Sequence, residues 1–494
     1  MRASYEKTYE RKIFGYVVLR NNIRKTISSG VIKMKLKAIK KAACIFVAVS
    51  LSASVLFGCD SKKIKKDELA VINVWTGDTG SRVAYDKAVY EFNNSIGAKN
   101  GVKVVYDAKE NLSSAITVAL QTGQAPEIFM SGDVCEYADQ GYIIPLDDLK
   151  GGKDLIEKRR KFLTEGRQVY NGKTYSVPYA ATTRGLIYNK DMFKEAGLVD
   201  EKGEPTPPKT LEEVRSYAKK LTNLKKNKYG IVLPLKWLGM FECDILSDAV
   251  ASTGSDGYDY TTGKYDYSGY KKILEMYLGI KEDKSYMPGA EGLENDAARA
   301  RFAEGNIGMK FAVSWDVGVL NDQFAAKCDW GVAPLPVIDE NNKYYQNMTV
   351  NTGFKINKTA PDKVGEDKLM FVYNWLNGDE LAKRVYELGA NLPLDFSVVK
   401  DVDTSKLKKG WEGFARMSEI SVIMPAKPSV DISGETDFPT NFFNSVWPGK
   451  MTPDEAIQEA NRVMNDGIKK YAEIHPETSP DSYIISDWNI KREK

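Results

Sequence analysis

Residues 70–75 read AVINVW, and beyond Gly77-Asp78 the chain runs through Tyr85, Ala88, Val89, Phe92 and Ile96 to VKVVY at 102–106. A near-continuous apolar run of that length predicts a strand buried on both faces, as in a parallel or mixed sheet. The five apolar residues that follow fall at helical spacing. A second strand is expected over 102–106 and a second helix over 113–121, with Gly123 closing it. A third short strand is expected over 127–130, ahead of Ser131-Gly132-Asp133. Such a strand–helix–strand–helix–strand series implies right-handed crossovers and an α/β sheet with helices on both faces. Ligands of these folds gather beyond the C-terminal ends of the strands. Here those ends are Trp75–Thr79 and Ser131–Asp133.

Upstream, Ala42–Phe57 (AACIFVAVSLSASVLF) carries no charge and follows Lys35, Lys37, Lys40 and Lys41. A basic segment followed by an apolar one is the pattern of a secretory signal, and the run is shorter than the ~20 residues of a spanning helix. It ends at Leu56-Phe57-Gly58-Cys59, which resembles a bacterial lipobox with a bulkier spacer than usual at Phe57. Residues 1–58 are therefore expected to be a signal region, Cys59 the lipid-attachment residue, and 59–66 a Lys-rich tether. An ordinary cleaved signal, or an uncleaved anchor with Cys59 incidental, is the competing reading. Residues 1–33 are long and polar for a signal, which leaves two readings: Met34 as the start, or an unusual upstream extension.

The whole chain, 494 residues with 43% hydrophobic and 28% charged, has net charge +3. That composition excludes a disordered or collagen-like chain and allows two domains or more. Without residues 1–58, which hold 12 Lys/Arg and 2 Asp/Glu, 58 basic residues face 65 acidic ones. An acidic exported chain lacks the cationic contacts that nucleic-acid affinity requires. A single histidine, His475, argues against a His-based triad and a multi-His zinc site, while carboxylate catalysis stays open. Cys135, Cys243 and Cys328 are widely spaced and show no metal-ligand pattern, so they read as small buried hydrophobes. Asp256, Asp259 and Asp266, in a turn-rich stretch expected to form a hairpin, fail the spacing of a calcium loop. GxxxxGK[ST], a post-strand GxGxxG and GxSxG are all absent, so neither cofactor nor metal is expected. Thr210–Glu213 and Thr452–Glu455 fit capping boxes, the second with Pro453 at the first helical position.

Several segments then occur in a telling order. They are NVWTGDTG from Asn73, ALQTGQAPEIFMSGD ending at Asp133, and GKTYSVPYAATTRGLIYNKDMFKEAGL from Gly172. PPKTLEEV from Pro207, FAEGNIGMKFAVSW ending at Trp315 and GVAPLP from Gly331 follow, then ELGANLPL from Glu387 and TPDEAIQEA from Thr452. In these, from about Leu69 to Lys470, the chain resembles the extracellular solute-binding proteins (family 1) of ABC importers, the group that includes maltose-binding protein.

That resemblance implies a two-lobed, type II periplasmic-binding-protein-like α/β fold whose lobes are joined by a three-segment hinge. The crossovers would lie near Pro178–Thr183, Gln346–Gly353 and Gly389–Leu394. Lobe one would then be 67–180 plus 353–391, lobe two 181–350 plus 392–470, with 471–494 as an outer tail. By the same resemblance Trp75, Asp78 and Thr79 form a first ligand loop, and Asp133 matches an acidic residue after the third strand. Tyr179 and Thr182 fall in an aligned cleft segment, with Thr182 where the maltose-binding pattern has a carboxylate, which puts maltose itself in doubt. Trp315 stands where a sugar-stacking tryptophan stands. Trp237 and Phe443 lie in segments expected to line lobe two, and Trp411 and Arg416 are further candidates. Phe371 and Trp375 read as core.

The implied function is capture of a carbohydrate, an oligosaccharide above all, by hinge closure, and delivery to an ABC permease. The carrier would be a monomer on the outer face of the cell membrane, held by its lipid. Carboxylates and amides suit the hydroxyl edge of a sugar, and aromatic rings suit its C–H faces. The rival readings are a secreted carboxylate enzyme acting on glycosides, which needs two acids ~5–10 Å apart and shows no local motif, and the same fold holding a non-sugar solute.

Overall fold

A computed structural model describes residues 69–109, 111–476 and 479–492. The signal region, Cys59 and the tether lie outside the described residues. Two four-stranded sheets organise the molecule, and a small three-stranded sheet lies between them in the chain path.

In the first sheet Ala70–Thr76 pairs in parallel with Val102–Ala108 on one side and with Ile128–Phe129 on the other. Lys355–Ile356 returns from far along the chain to pair antiparallel with Ile128–Phe129. Alternation sends Ile72, Val74 and Thr76 inward, all fully buried, against Tyr85, Ala88, Val89 and Phe92 of the helix Arg82–Asn93. Phe371 and Trp375 pack into this core, the Trp375 ring 4.1 Å from that of Phe92.

In the second sheet Arg184–Asn189 pairs antiparallel with both Ile307–Val313 and Trp330–Ala333, and Ile307–Val313 runs parallel to Tyr229–Ile231. Every residue of Ile307–Val313 is buried, Lys310 included. The helices Leu211–Leu221 and Pro453–Ile474 pack on this half, each opened by a complete capping box at Thr210 and Thr452. The hairpin of Tyr258–Asp259 with Lys264–Tyr265 packs there too, and the Trp488 ring lies 5.2 Å from that of Tyr260, tilted by 52°. Cys243 and Cys328 are buried, Cys135 half-buried, and all three are free thiols.

The third sheet has Ala180–Thr182 at its centre, with Thr349–Val350 and Leu392–Pro393 antiparallel on its two sides. Three separate crossings of the chain therefore meet side by side in one hydrogen-bonded strip. Ala181 and Leu392 turn to an apolar cluster with Tyr386, Trp411 and Phe414, while Thr182 and Ala180 face a cavity.

Candidate functional site

The loop after the first strand begins the site. Thr76 ends the strand, the Asp78 amide donates to its hydroxyl at 3.1 Å, and the Ser81 amide donates to Asp78 Oδ1 at 3.1 Å. Burial raises the Asp78 carboxyl above its ordinary value, against hydrogen bonds from Ser81 and Asn391 that pull it down. Asn391, beside the strand Leu392–Pro393, donates to the Tyr85 hydroxyl at 2.9 Å. Tyr179 lies next to this group with its ring stacked 4.9 Å from Phe354, and its own amide donates to Asn351 Oδ1 at 3.0 Å.

Across from this loop stand residues of the second sheet's half. Trp315 follows the buried strand Ile307–Val313 and is 38% exposed. Its place is fixed from behind: the neighbouring Asp316, fully buried, accepts from Arg299 Nε at 2.8 Å and lies 3.6 Å from Lys310 Nζ. Arg299 also binds Asp296 at 2.5 Å. Burial pulls the Arg299 guanidinium down, and Asp316 and Asp296 more than compensate, so it stays charged.

Between the two halves these groups enclose a cavity of about 730 Å³, within the usual range of about 300–1,000 Å³ for small-molecule sites. Asp78, Thr79, Tyr179, Thr182, Trp237 and Trp315 all line it. So do Glu294, Asn295, Asp296 and Arg299 at the start of one helix, and the crossover residues Asn351 and Asn391. Sequence reading missed the latter group. The run Glu294-Asn295-Asp296 ahead of an apolar-periodic helix, and two asparagines within expected crossovers, were the available signals. The halves come within contact distance beside the cavity, where a Cβ on Gly318 would stand 3.6 Å from the Gly80 carbonyl oxygen.

Other expected residues sit elsewhere. Trp75 points to the opposite face of its strand from Val74 and Thr76, half-buried near Phe129, with the Lys109 ammonium 4.2 Å over its ring. Asp133 caps the helix Val134–Asp139, accepting from the Glu136 amide at 2.9 Å. Phe443 packs on the second lobe's core beside Phe442. Trp411 is fully buried against Tyr386, and Arg416 is an exposed partner of Glu412. None of these five lines the cavity.

A second cavity of about 840 Å³ borders the strand Thr349–Val350, lined by Thr164–Arg167, Phe241, Met424 and Phe438 among others. Trp237 lines the first cavity while the next two residues, Leu238 and Gly239, line the second.

Two lobes with separate sheets, strand ends facing a shared cavity and a three-strand link define a two-lobed binding protein of the type II periplasmic class. The chain belongs to the family described as bacterial extracellular solute-binding protein, whose profile matches residues 78–383. It is 25% identical over 378 residues to a maltotriose-binding protein of Pyrococcus abyssi, covering 75% of each chain. It is 23% identical over 442 residues to an sn-glycerol-3-phosphate-binding periplasmic protein of Brucella melitensis, covering 85% of this chain and 97% of that one. Among solved structures, the maltose/maltodextrin-binding domain of Bdellovibrio bacteriovorus bound to maltotriose superposes with TM-score 0.59 at 20% identity, over 81% of this chain and all of that one. The GacH receptor of Streptomyces glaucescens, solved unliganded and with acarbose, gives 0.60 at 19% identity, over 83% and 99%.

Proposed function

We propose that this protein captures a neutral carbohydrate between its lobes and passes it unaltered to an ABC permease. The observation that carries this reading is the lining of the interlobe cavity. Two tryptophans, Trp237 and Trp315, meet carboxylates, amides and hydroxyls there, and the one cationic lining residue among the described residues, Arg299, is already held by Asp296 and Asp316. Such a wall suits a guest with apolar ring faces and many hydroxyls, and it disfavours an anion.

The second cavity, adjoining at Trp237–Leu238, favours a guest of more than one sugar unit. The names of relatives that bind maltotriose point the same way. Binding works by closure. A solute that touches both lobes holds the closed form better than the open one and shifts the population toward it. The three-strand link is the hinge of this motion, with lobe one as 67–180 plus 353–391 and lobe two as 181–350 plus 392–470. The monomer is held at the outer membrane face by lipid on Cys59, at the end of the lipobox-like Leu56–Cys59 stretch, where two or three acyl chains would supply the stable anchoring that a single chain does not.

The test is calorimetric titration with maltotriose and with chitin- and xylan-derived oligosaccharides, alongside chromatography of each sugar after incubation. One sugar is expected to bind and to be recovered intact. Covering one sugar face buries ~50 Å² and contributes roughly 1 kcal/mol, so Trp315→Ala should weaken that binding about fivefold. Released smaller sugars would replace the transport reading with the glycosidase one.

A further inference from the structure

Residues 423–437 form neither strand nor helix, yet residues 423–427 and Ser429 line the second cavity. A wall without regular structure cannot hold its own place, and Pro425 and Pro428 supply no N–H to anchor it. Among the described residues, two polar attachments hold it between residues 423 and 430, and both end on the Tyr258–Asp259 hairpin and the turn before it. The Pro425 carbonyl oxygen accepts from the Tyr260 hydroxyl at 2.9 Å. The Lys427 ammonium lies 3.0 Å from Asp256 Oδ2.

That hairpin is itself firmly placed. Asp256, whose spacing fits no calcium loop, is buried; it accepts from the Tyr258 amide at 3.3 Å, and Lys427 meets its charge. The Tyr260 ring is buried edge-on to that of Tyr258 at 5.0 Å. Trp488 packs on it, and the Ile485 amide donates to the Tyr260 carbonyl oxygen at 2.8 Å. On the other arm, Asn465 and Asn461 of the helix Pro453–Ile474 accept from the Tyr265 and Tyr267 amides at 2.9 and 2.8 Å. The Tyr260 hydroxyl has one hydrogen to give. It stands nearer the Pro425 oxygen than Asp256 Oδ2, which is 3.3 Å away, so the cavity wall receives that hydrogen. Tyr260 does not line the cavity.

We propose that Asp256 and Tyr260 are positioning residues that fix residues 423–429 as a wall of the second cavity and so set how long a guest the protein holds. This rests on the reading above, in which the second cavity takes the further units of an oligosaccharide. A wall left free has to be ordered by each long guest as it binds, an entropic cost that a short guest in the first cavity does not meet.

The experiment titrates the mature chain and its variants with two-unit and five-unit oligosaccharides of the maltose, chitin and xylan series. It reads the ratio of the two affinities in the series that binds. The unaltered protein is expected to hold the longer guest more tightly. Tyr260→Phe keeps the ring and removes only the hydroxyl, so it should weaken the five-unit guest about fivefold and leave the two-unit guest unchanged. Tyr258→Phe is the control: the Tyr258 hydroxyl is buried without a partner, so its loss breaks no bond and should leave the ratio alone. Asp256→Asn and Lys427→Met should each lower the ratio, and together no further than either alone; additive losses would remove the positioning role of Asp256. Should Tyr260→Phe fail to fold, Asp256→Asn decides by the same ratio. An unaltered ratio in a folded variant, or equal losses at both lengths, would overturn the clamp and leave the second-cavity reading standing. Indifference of the unaltered protein to length would sink that reading and this inference together, and silence toward every sugar would sink the carbohydrate reading as well.

Discussion

Asp248 is fully buried, and neither of its carboxylate oxygens has a hydrogen-bond partner among the described residues. Burial raises its carboxyl well above the ordinary value, and nearby Asp244 adds to the push while itself rising to about 7. A group with a raised folded pKa keeps its proton in the fold after the unfolded chain has lost it, so stability falls as pH climbs above about 4. Asp248→Asn should flatten that fall between pH 5 and pH 8 and stabilise the protein at pH 7 by about 1–3 kcal/mol. Thermal unfolding across that range checks it, and an unaltered slope would count against it. Not every residue role was legible in advance. Trp75 and Asp133 do sit at the strand ends where ligands gather, yet one side chain is turned away by strand alternation and the other is spent on a helix cap. Asn295, Asn351 and Asn391 escaped because an asparagine looks the same in sequence whether or not it lines a cavity.

Local signals serve elements better. Both capping boxes, at Thr210 and Thr452, are formed with their two reciprocal hydrogen bonds. The parallel strands Ala70–Thr76, Val102–Ala108 and Ile128–Phe129 occupy the places that apolar runs and helical spacing marked. The antiparallel fourth strand, Lys355–Ile356, was not legible: a two-residue strand shows no period, and its pairing depends on a distant part of the chain. Helix Pro453–Ile474 offers a test of the local logic. Thr452→Ala removes the side chain that accepts from the Glu455 amide at 3.2 Å and should cost about 1 kcal/mol. Urea unfolding should register the loss while solute affinity stays the same, because the cap lies outside the cavity lining.

At the scale of the molecule, Gly318 gives a handle on closure. Its backbone lies in the ordinary helical region, so other residues are allowed there. A Cβ would meet the Gly80 oxygen at 3.6 Å and the Gly389 oxygen at 3.9 Å, which is ordinary contact. Gly318→Ala should therefore behave like the original. Gly318→Phe should wedge the halves apart, lowering solute affinity about tenfold or more and abolishing the solute-induced decrease in radius of gyration seen by X-ray scattering. A phenylalanine variant that still contracts on binding would show that the halves do not close at this point.

The interleaving of the chain between the lobes also governs how the molecule can be made. The first sheet gains Lys355–Ile356 only after the whole second sheet has been synthesised, and the linking strip is complete only when Leu392–Pro393 has appeared. A nascent chain threaded outward from its N-terminus thus exposes an unsealed sheet edge during most of its passage. Assembly has to wait for the last third of the polypeptide, and a stalled or truncated product has no finished half to fall back on.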